Sequence, residues 1–134
     1  PVTVDEKIKL CADKGMCLHT NVVESKIMFT DWITNMRKYS IGGEKISMYI
    51  DGGKLTIHFE NQCKIKDKDI DKLVRDMNSS AKDAVLEGKE YGYGIYIIKS
   101  IARELDVEIS AEKESKQNQA FMCLDFKYMI YGRN

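Results

Sequence analysis

A chain of 134 residues, 43% apolar and 31% charged, has the size and composition of one soluble globular domain. Its 21 basic residues balance its 21 acidic ones, which excludes the one-signed field of a nucleic-acid-binding or anionic-membrane-binding surface. Its apolar runs fall far short of the ~20 residues of a membrane span, so any phosphate ligand must be held by local groups.

Residues 1–134 read as a single domain without repeats or linkers. The chain starts at Pro1 without a methionine and is read as an excised piece of a longer protein. Cys11, Cys17, Cys63 and Cys123 form no C-x-x-C pair, and only His19 and His58 could add to a metal site. The cysteines therefore read as small buried hydrophobes in a reducing compartment.

In chain order, a short helix is predicted over Asp5–Lys14, stopped by Gly15. A strand follows over Met16–Val22. The next helix is predicted over Ser25–Ser40, with Phe29, Trp32, Ile33, Met36 and Ser40 on one side. Ile41-Gly42-Gly43 ends it. Two strands, Lys45–Asp51 and Lys54–Glu60, follow. Their inner faces are Ile46, Met48, Ile50 and Leu55, Ile57, Phe59, and Asp51-Gly52-Gly53 makes the hairpin turn between them. Asp67 is placed to cap a helix whose stripe is Ile70, Leu73, Val74 and Met77. Periodicity is then lost over residues Asn78–Tyr91, a length that marks a functional or mobile loop. After Gly92-Tyr93-Gly94 a helix returns, with Ile95, Ile98, Ile101, Ala102 and Leu105 on one face. Strands Val107–Ala111 and Ala120–Lys127 close the domain around a turn over Glu112–Gln119, and Tyr128–Asn134 has no clear pattern. Hairpin-paired strands with three helices on one face give an α+β two-layer sandwich.

Three features could carry chemistry. Asp31, Asn35 and Lys38 share the polar face of the second helix. Oxygen ligands suit Mg²⁺ and an ammonium suits phosphate. A solvated helix face reads the same way. Gly92-Tyr93-Gly94 before a helix lets backbone amides approach an anion, or is a plain loop-to-helix junction. Glu60, followed by Asn61, could accept a hydrogen bond from an exocyclic amine, or simply face water at a strand end.

Together and in this order these features resemble the Bergerat-fold ATPases, the GHKL superfamily, and within it the catalytic domain of sensor histidine kinases. The segment Asp31-Trp32-Ile33-Thr34-Asn35-Met36-Arg37-Lys38-Tyr39-Ser40 is similar to the N box, N-L-L-x-N-A-x-K-Y. Phe59-Glu60-Asn61, with Ile65 and Asp69, resembles the first glycine box, and Gly92-Tyr93-Gly94-Ile95 the second, G-x-G-L. The resemblance implies a mixed, mostly antiparallel sheet under three helices. It implies a site for ATP and Mg²⁺, with Asn35 and Asp31 as the catalytic pair and Asn35 as the Mg²⁺ ligand. Lys38 would contact phosphate and Tyr39 would line the pocket. Glu60 would read the adenine amine, and Gly92, Tyr93, Gly94 and Ile95 would cradle the phosphates. Residues 78–91 would form the ATP lid, mobile until nucleotide orders it, with Lys82 or Lys89 reaching in. The implied partners are a histidine-bearing dimerisation domain of the same kinase and a response regulator. The implied setting is the cytoplasmic part of a membrane-bound bacterial sensor. Neither His19 nor His58 fits the acceptor role, so the chain alone is not expected to phosphorylate itself.

The first box departs from D-x-G-x-G: Glu60-Asn61-Gln62-Cys63-Lys64 has lost both glycines. The third box, usually G-T, reads Asn118-Gln119. Weaker nucleotide affinity than the family norm is expected. Two alternatives stay open: an anti-sigma-factor serine kinase of the same superfamily, and a non-catalytic interaction module that has lost ATP.

Overall fold

The computed structural model describes residues 20–79 and 94–131 in full, and residues 2–4 and 17–18 as backbone. The helix expected over Asp5–Lys14, Gly15, His19, Lys82, Lys89, Gly92 and Tyr93 lie outside the described residues, as does the expected lid beyond Ser79. In chain order the elements are β1 (Val2–Val4), β2 (Cys17–Leu18), α1 (Val22–Tyr39), β3 (Gly42–Asp51), β4 (Lys54–Cys63), α2 (Lys68–Asn78), α3 (Gly94–Glu104), β5 (Glu108–Lys116) and β6 (Gln119–Tyr131).

α1 begins three residues before the predicted start, at the end of what was expected to be strand. Asn21 is its N-cap, and the Asn21 side chain accepts a hydrogen bond from the Glu24 N–H at 3.0 Å. That bond satisfies one of the four donors that a helix start leaves free. Met28, Trp32 and Met36 bury one stripe of α1, with Phe29 and Ile33 packed beside it. Asp67 caps α2 as expected, its carboxylate accepting from the N–H groups of Asp69 and Ile70. α3 ends where Asp106 adopts φ 55° and the Val107 N–H returns to the Ala102 carbonyl at 2.8 Å. This left-handed closure is one an aspartate tolerates better than most residues.

The sheet is mixed. β1 runs parallel to β3, and β3, β4, β6 and β5 pair antiparallel in that order, with β2 on the end of β6. Gly52 and Gly53, at φ 58° and 78°, make the tight β3–β4 turn that left-handed residues permit. The β5–β6 hairpin corrects the sequence reading. Its turn is only Gln117 and Asn118, at φ 50° and 64°, so β5 runs on to Lys116 and Glu112–Lys116 is strand. The same two-residue geometry is reached here without glycine, which hid it. β6 likewise continues past Lys127 to Tyr131, held at its end by Cys17–Leu18 and by the Ile130 N–H to the Gly53 carbonyl.

All three described helices share one core with one face of the sheet. Leu55, Phe59 and Cys63 of β4 and Ala120, Met122, Leu124, Phe126 and Tyr128 of β6 point into it. Phe29 meets Phe126 edge-on at 5.3 Å, and Phe126 meets Phe59 at 5.7 Å. Each such burial contributes about 1.5–3 kcal/mol. The opposite face carries Lys45, Ser47, His58, Glu60, Cys123 and Asp125, because side chains alternate along a strand. No described helix is long and apolar enough to cross a membrane.

Candidate functional site

The polar row of α1 survives folding. Asp31 and Asn35 are half-buried and Lys38 is exposed, along the flank of the stripe that Met28, Trp32 and Met36 bury. The Asn35 amide nitrogen donates to the Asp31 carbonyl at 2.9 Å. That fixes the amide, and among the described residues its oxygen accepts no hydrogen bond. The Lys38 ammonium sits 5.6 Å from the Tyr39 ring centre, a cation–π distance. Tyr39 packs partly into the core, and its phenol is shifted up by burial first and by the Asp69 and Asp67 carboxylates after that. The end of α1 thus lies beside the start of α2.

Gly94, the first residue of α3, stands against this row. A Cβ built on it would lie 3.3 Å from the Asn35 amide nitrogen. A larger residue would press on Asn35, so only a bare backbone lets α3 start here undisturbed. The first N–H groups of α3 have no intrahelical partner, and its first turn carries no acidic side chain. The Asn35 carboxamide and a helix N-terminus therefore meet at one corner, an arrangement suited to an anion and its counter-cation. Ile95 does not line this corner with its side chain, which is 1% exposed and belongs to the core.

Glu60 does not join the group. Alternation along β4 turns its carboxylate to the far face of the sheet, where it meets Lys45 at 3.5 Å and His58 at 3.3 Å. Asn61 takes the inner face instead. It is fully buried, its amide nitrogen reaches the Gln62 carbonyl at 3.2 Å, and its oxygen has no partner among the described residues. A buried acceptor left unmet costs about 1–3 kcal/mol. The only other such side-chain atom among the described residues is Trp32 Nε1, a donor. Sequence reasoning missed Asn61, although the alternation Leu55, Ile57, Phe59 points straight to it.

A second residue missed is Lys99. It is buried on α3, and its ammonium donates to the Asp76 carbonyl at 2.5 Å, the Ser79 carbonyl at 2.7 Å and the Ser79 hydroxyl at 2.9 Å. A cation here also answers the negative end of the α2 dipole. Lys99 so ties α3 to Ser79, the last described residue of the segment expected to be a lid. The first residue expected in that lid, Asn78, is instead the last of α2. Lys99→Ala is expected to lower stability by about 2–3 kcal/mol, through lost charge-assisted bonds and a vacated site. A denaturant midpoint unchanged from wild type would rule this tie out.

No protein-family model matches the chain, and no curated protein matches it in sequence. Solved structures do. The catalytic domain of histidine kinase ThkA is similar at a TM-score of 0.52 and 14% identity, over 81% of this chain and 68% of that one. The blue-light activated histidine kinase EL346 of Erythrobacter litoralis is similar at 0.50 and 11% identity, over 93% of this chain and 33% of that one. The fold is that of a histidine kinase catalytic domain. The histidine kinase AdeS of Acinetobacter baumannii, at 0.47 and 14% identity, matches 77% of this chain with 45% of its own. The chain thus spans less than half the length of AdeS and a third of EL346. Within the histidine kinase fold, the Asn35–Gly94 corner joins the first turn of α3 to the polar face of α1.

Proposed function

We propose that this chain is the ATP-binding catalytic domain of a two-component sensor histidine kinase, which passes the γ-phosphoryl of ATP to a histidine on a separate dimerisation domain. The contact between Asn35 and Gly94 inside this fold carries the reading. The donor set fits the ligand. The oxygen of Asn35, which accepts no hydrogen bond among the described residues, would hold Mg²⁺ with Asp31 beside it, and Lys38 would meet phosphate oxygens. Mg²⁺, when bound, supplies charge neutralisation at the phosphates. Tyr39 lines the pocket, and the α3 amides from Gly94 onward face the phosphates. Gly92 and Tyr93 are assigned to the same cradle from the sequence. The unmet oxygen of Asn61, in place of Glu60, accepts the adenine amine.

Phosphoryl transfer of this kind rests on positioning and charge rather than on covalent help from the protein. The acceptor is not His58, whose ring nitrogens are occupied by Asp125 and Glu60 on the far sheet face. The acceptor domain belongs to the same kinase, a response regulator receives the phosphoryl group, and the domain works on the cytoplasmic side of a membrane-bound bacterial sensor. A second reading, a non-catalytic module, is favoured by Gln62 and Lys64, which stand where the first glycine box that this segment resembles has its two glycines.

Calorimetric titration with ATP separates the two. Binding that requires Mg²⁺ is expected, with no phosphohistidine formed on the chain alone. Absence of heat at millimolar ATP selects the module, and acid-labile phosphohistidine on the isolated chain would refute the two-domain scheme.

A further inference from the structure

On the sheet face opposite the Asn35–Gly94 corner, β4 and β6 bring together groups that phosphoryl transfer does not use. Glu60 stands directly across from Cys123, and His58 directly across from Asp125. We infer that His58, Glu60 and Cys123 form a zinc site, with Asp125 as the residue that orients the histidine.

The ligand atoms of the three residues lie within 4.8 Å of one another. His58 Nε2 is 3.3 Å from Glu60 Oε1, and Cys123 Sγ is 3.7 Å from the same oxygen. Zinc bonds to nitrogen, oxygen and sulfur at the tetrahedral angle put neighbouring ligand atoms about 3.3–3.6 Å apart. Two of the three spacings therefore lie within about 0.1 Å of that range, and one ion seated among the three atoms, slightly farther from the sulfur, replaces the hydrogen bonds that now link them. The donor types select the metal. An imidazole, a thiolate and a carboxylate suit Zn²⁺ and are poor company for Mg²⁺ or Ca²⁺.

The surrounding residues fit as well. His58 Nδ1 is 2.5 Å from Asp125 Oδ1, which turns Nε2 toward the metal position. A carboxylate on the far nitrogen is the usual support of a zinc-bound histidine. Lys45 holds the other oxygen of Glu60 at 3.5 Å, so Oε1 is the oxygen that faces His58 and Cys123. Cys123 is only 5% exposed, and the His58 and Glu60 side chains are about a fifth exposed. All four positions sit in paired strands of the sheet, so little ordering is needed on binding. Three protein ligands leave a fourth position open to water. The site cross-links β4 to β6 from the outer face and does not depend on the kinase reading.

The test uses metal-free protein titrated with Co²⁺ and then Zn²⁺. Expected are one cobalt per chain in tetrahedral geometry, a sulfur-to-cobalt charge-transfer band, and displacement of the cobalt by zinc. Cys123→Ser and His58→Gln should each lose the complex, and zinc should raise the thermal midpoint of wild type but of neither variant. Asp125→Asn should keep the band and weaken affinity about ten- to a hundredfold, as loss of an orienting carboxylate does. Asn35→Ala should bind zinc as wild type does, whatever happens to its nucleotide binding. Failure of wild type to bind cobalt, a complex without the sulfur band, or an undiminished band in Cys123→Ser each overturns the site. If His58→Gln does not fold, the Cys123→Ser titration alone decides.

Discussion

Asn35→Ala is expected to remove the magnesium-dependent part of ATP binding while leaving the domain folded. The side chain is only half-buried, at the edge of the core beside Gly94, and its single hydrogen bond among the described residues goes to the backbone of its own helix. Alanine is the better helix former, so stability should move by no more than about 0.5 kcal/mol. Loss of a ligand to a cation–phosphate complex removes about 1.5–3 kcal/mol, or roughly ten- to a hundredfold in affinity. Gly94→Ala tests the same corner from the other helix. Its methyl group would sit 3.3 Å from the Asn35 amide nitrogen and push that amide from its place. Weaker binding by both variants, with wild-type thermal midpoints, is the signature of a shared site. If both bind Mg²⁺–ATP as wild type does, the corner is not where the nucleotide sits.

Asn61→Leu should trade function for stability. The wild-type oxygen is buried without a partner among the described residues, at a cost of about 1–3 kcal/mol, while the amide nitrogen makes one long bond worth about 1 kcal/mol or less. A leucine has the same branching and removes both, but its methyl groups are bulkier than the amide in a fully buried place. Overpacking therefore offsets part of the gain, and the free protein should gain no more than about 1 kcal/mol. ATP affinity should fall about fivefold or more, since the adenine amine loses its acceptor. Asn61→Asp keeps an acceptor and should keep more of the binding despite its buried charge. If Asn61→Leu is destabilised and binds ATP normally, the amide is a structural core group and has no part in base recognition. The matching pair at Glu60 is informative. Glu60→Gln should leave ATP affinity unchanged, because its carboxylate is on the other side of the sheet.

Much of the architecture was legible because local chemistry decides it. Apolar spacing in α1, α2 and α3, the Asp67 cap and the Gly52-Gly53 turn each act over a few residues, and each was read correctly in kind. The departures from expectation also lie in short-range signals. Asn21 with Glu24 three residues on is a helix start, and it was read as strand. Gln117-Asn118 turns as tightly as two glycines, and it was read as part of a long loop. The alternation of Leu55, Ile57 and Phe59 puts Asn61, and not the carboxylate of Glu60, on the inner face of β4.

The sequence by itself determined which residues are apolar and at what period, and so the helices, the strands and the side of each that is buried. It also supplied the row Asp31, Asn35, Lys38, because positions on one helix face are fixed by the helix alone. Only the tertiary structure decided that Gly94 stops against Asn35, and that Lys99 reaches the end of α2. It alone set the pairing of β4 with β6 that brings Cys123 to Glu60 across a gap of 63 positions in the chain. Spacing in sequence shows no zinc motif, because ligands supplied by neighbouring strands share no local pattern. Strand register joins them, and register is fixed by burial of the whole inner face at once.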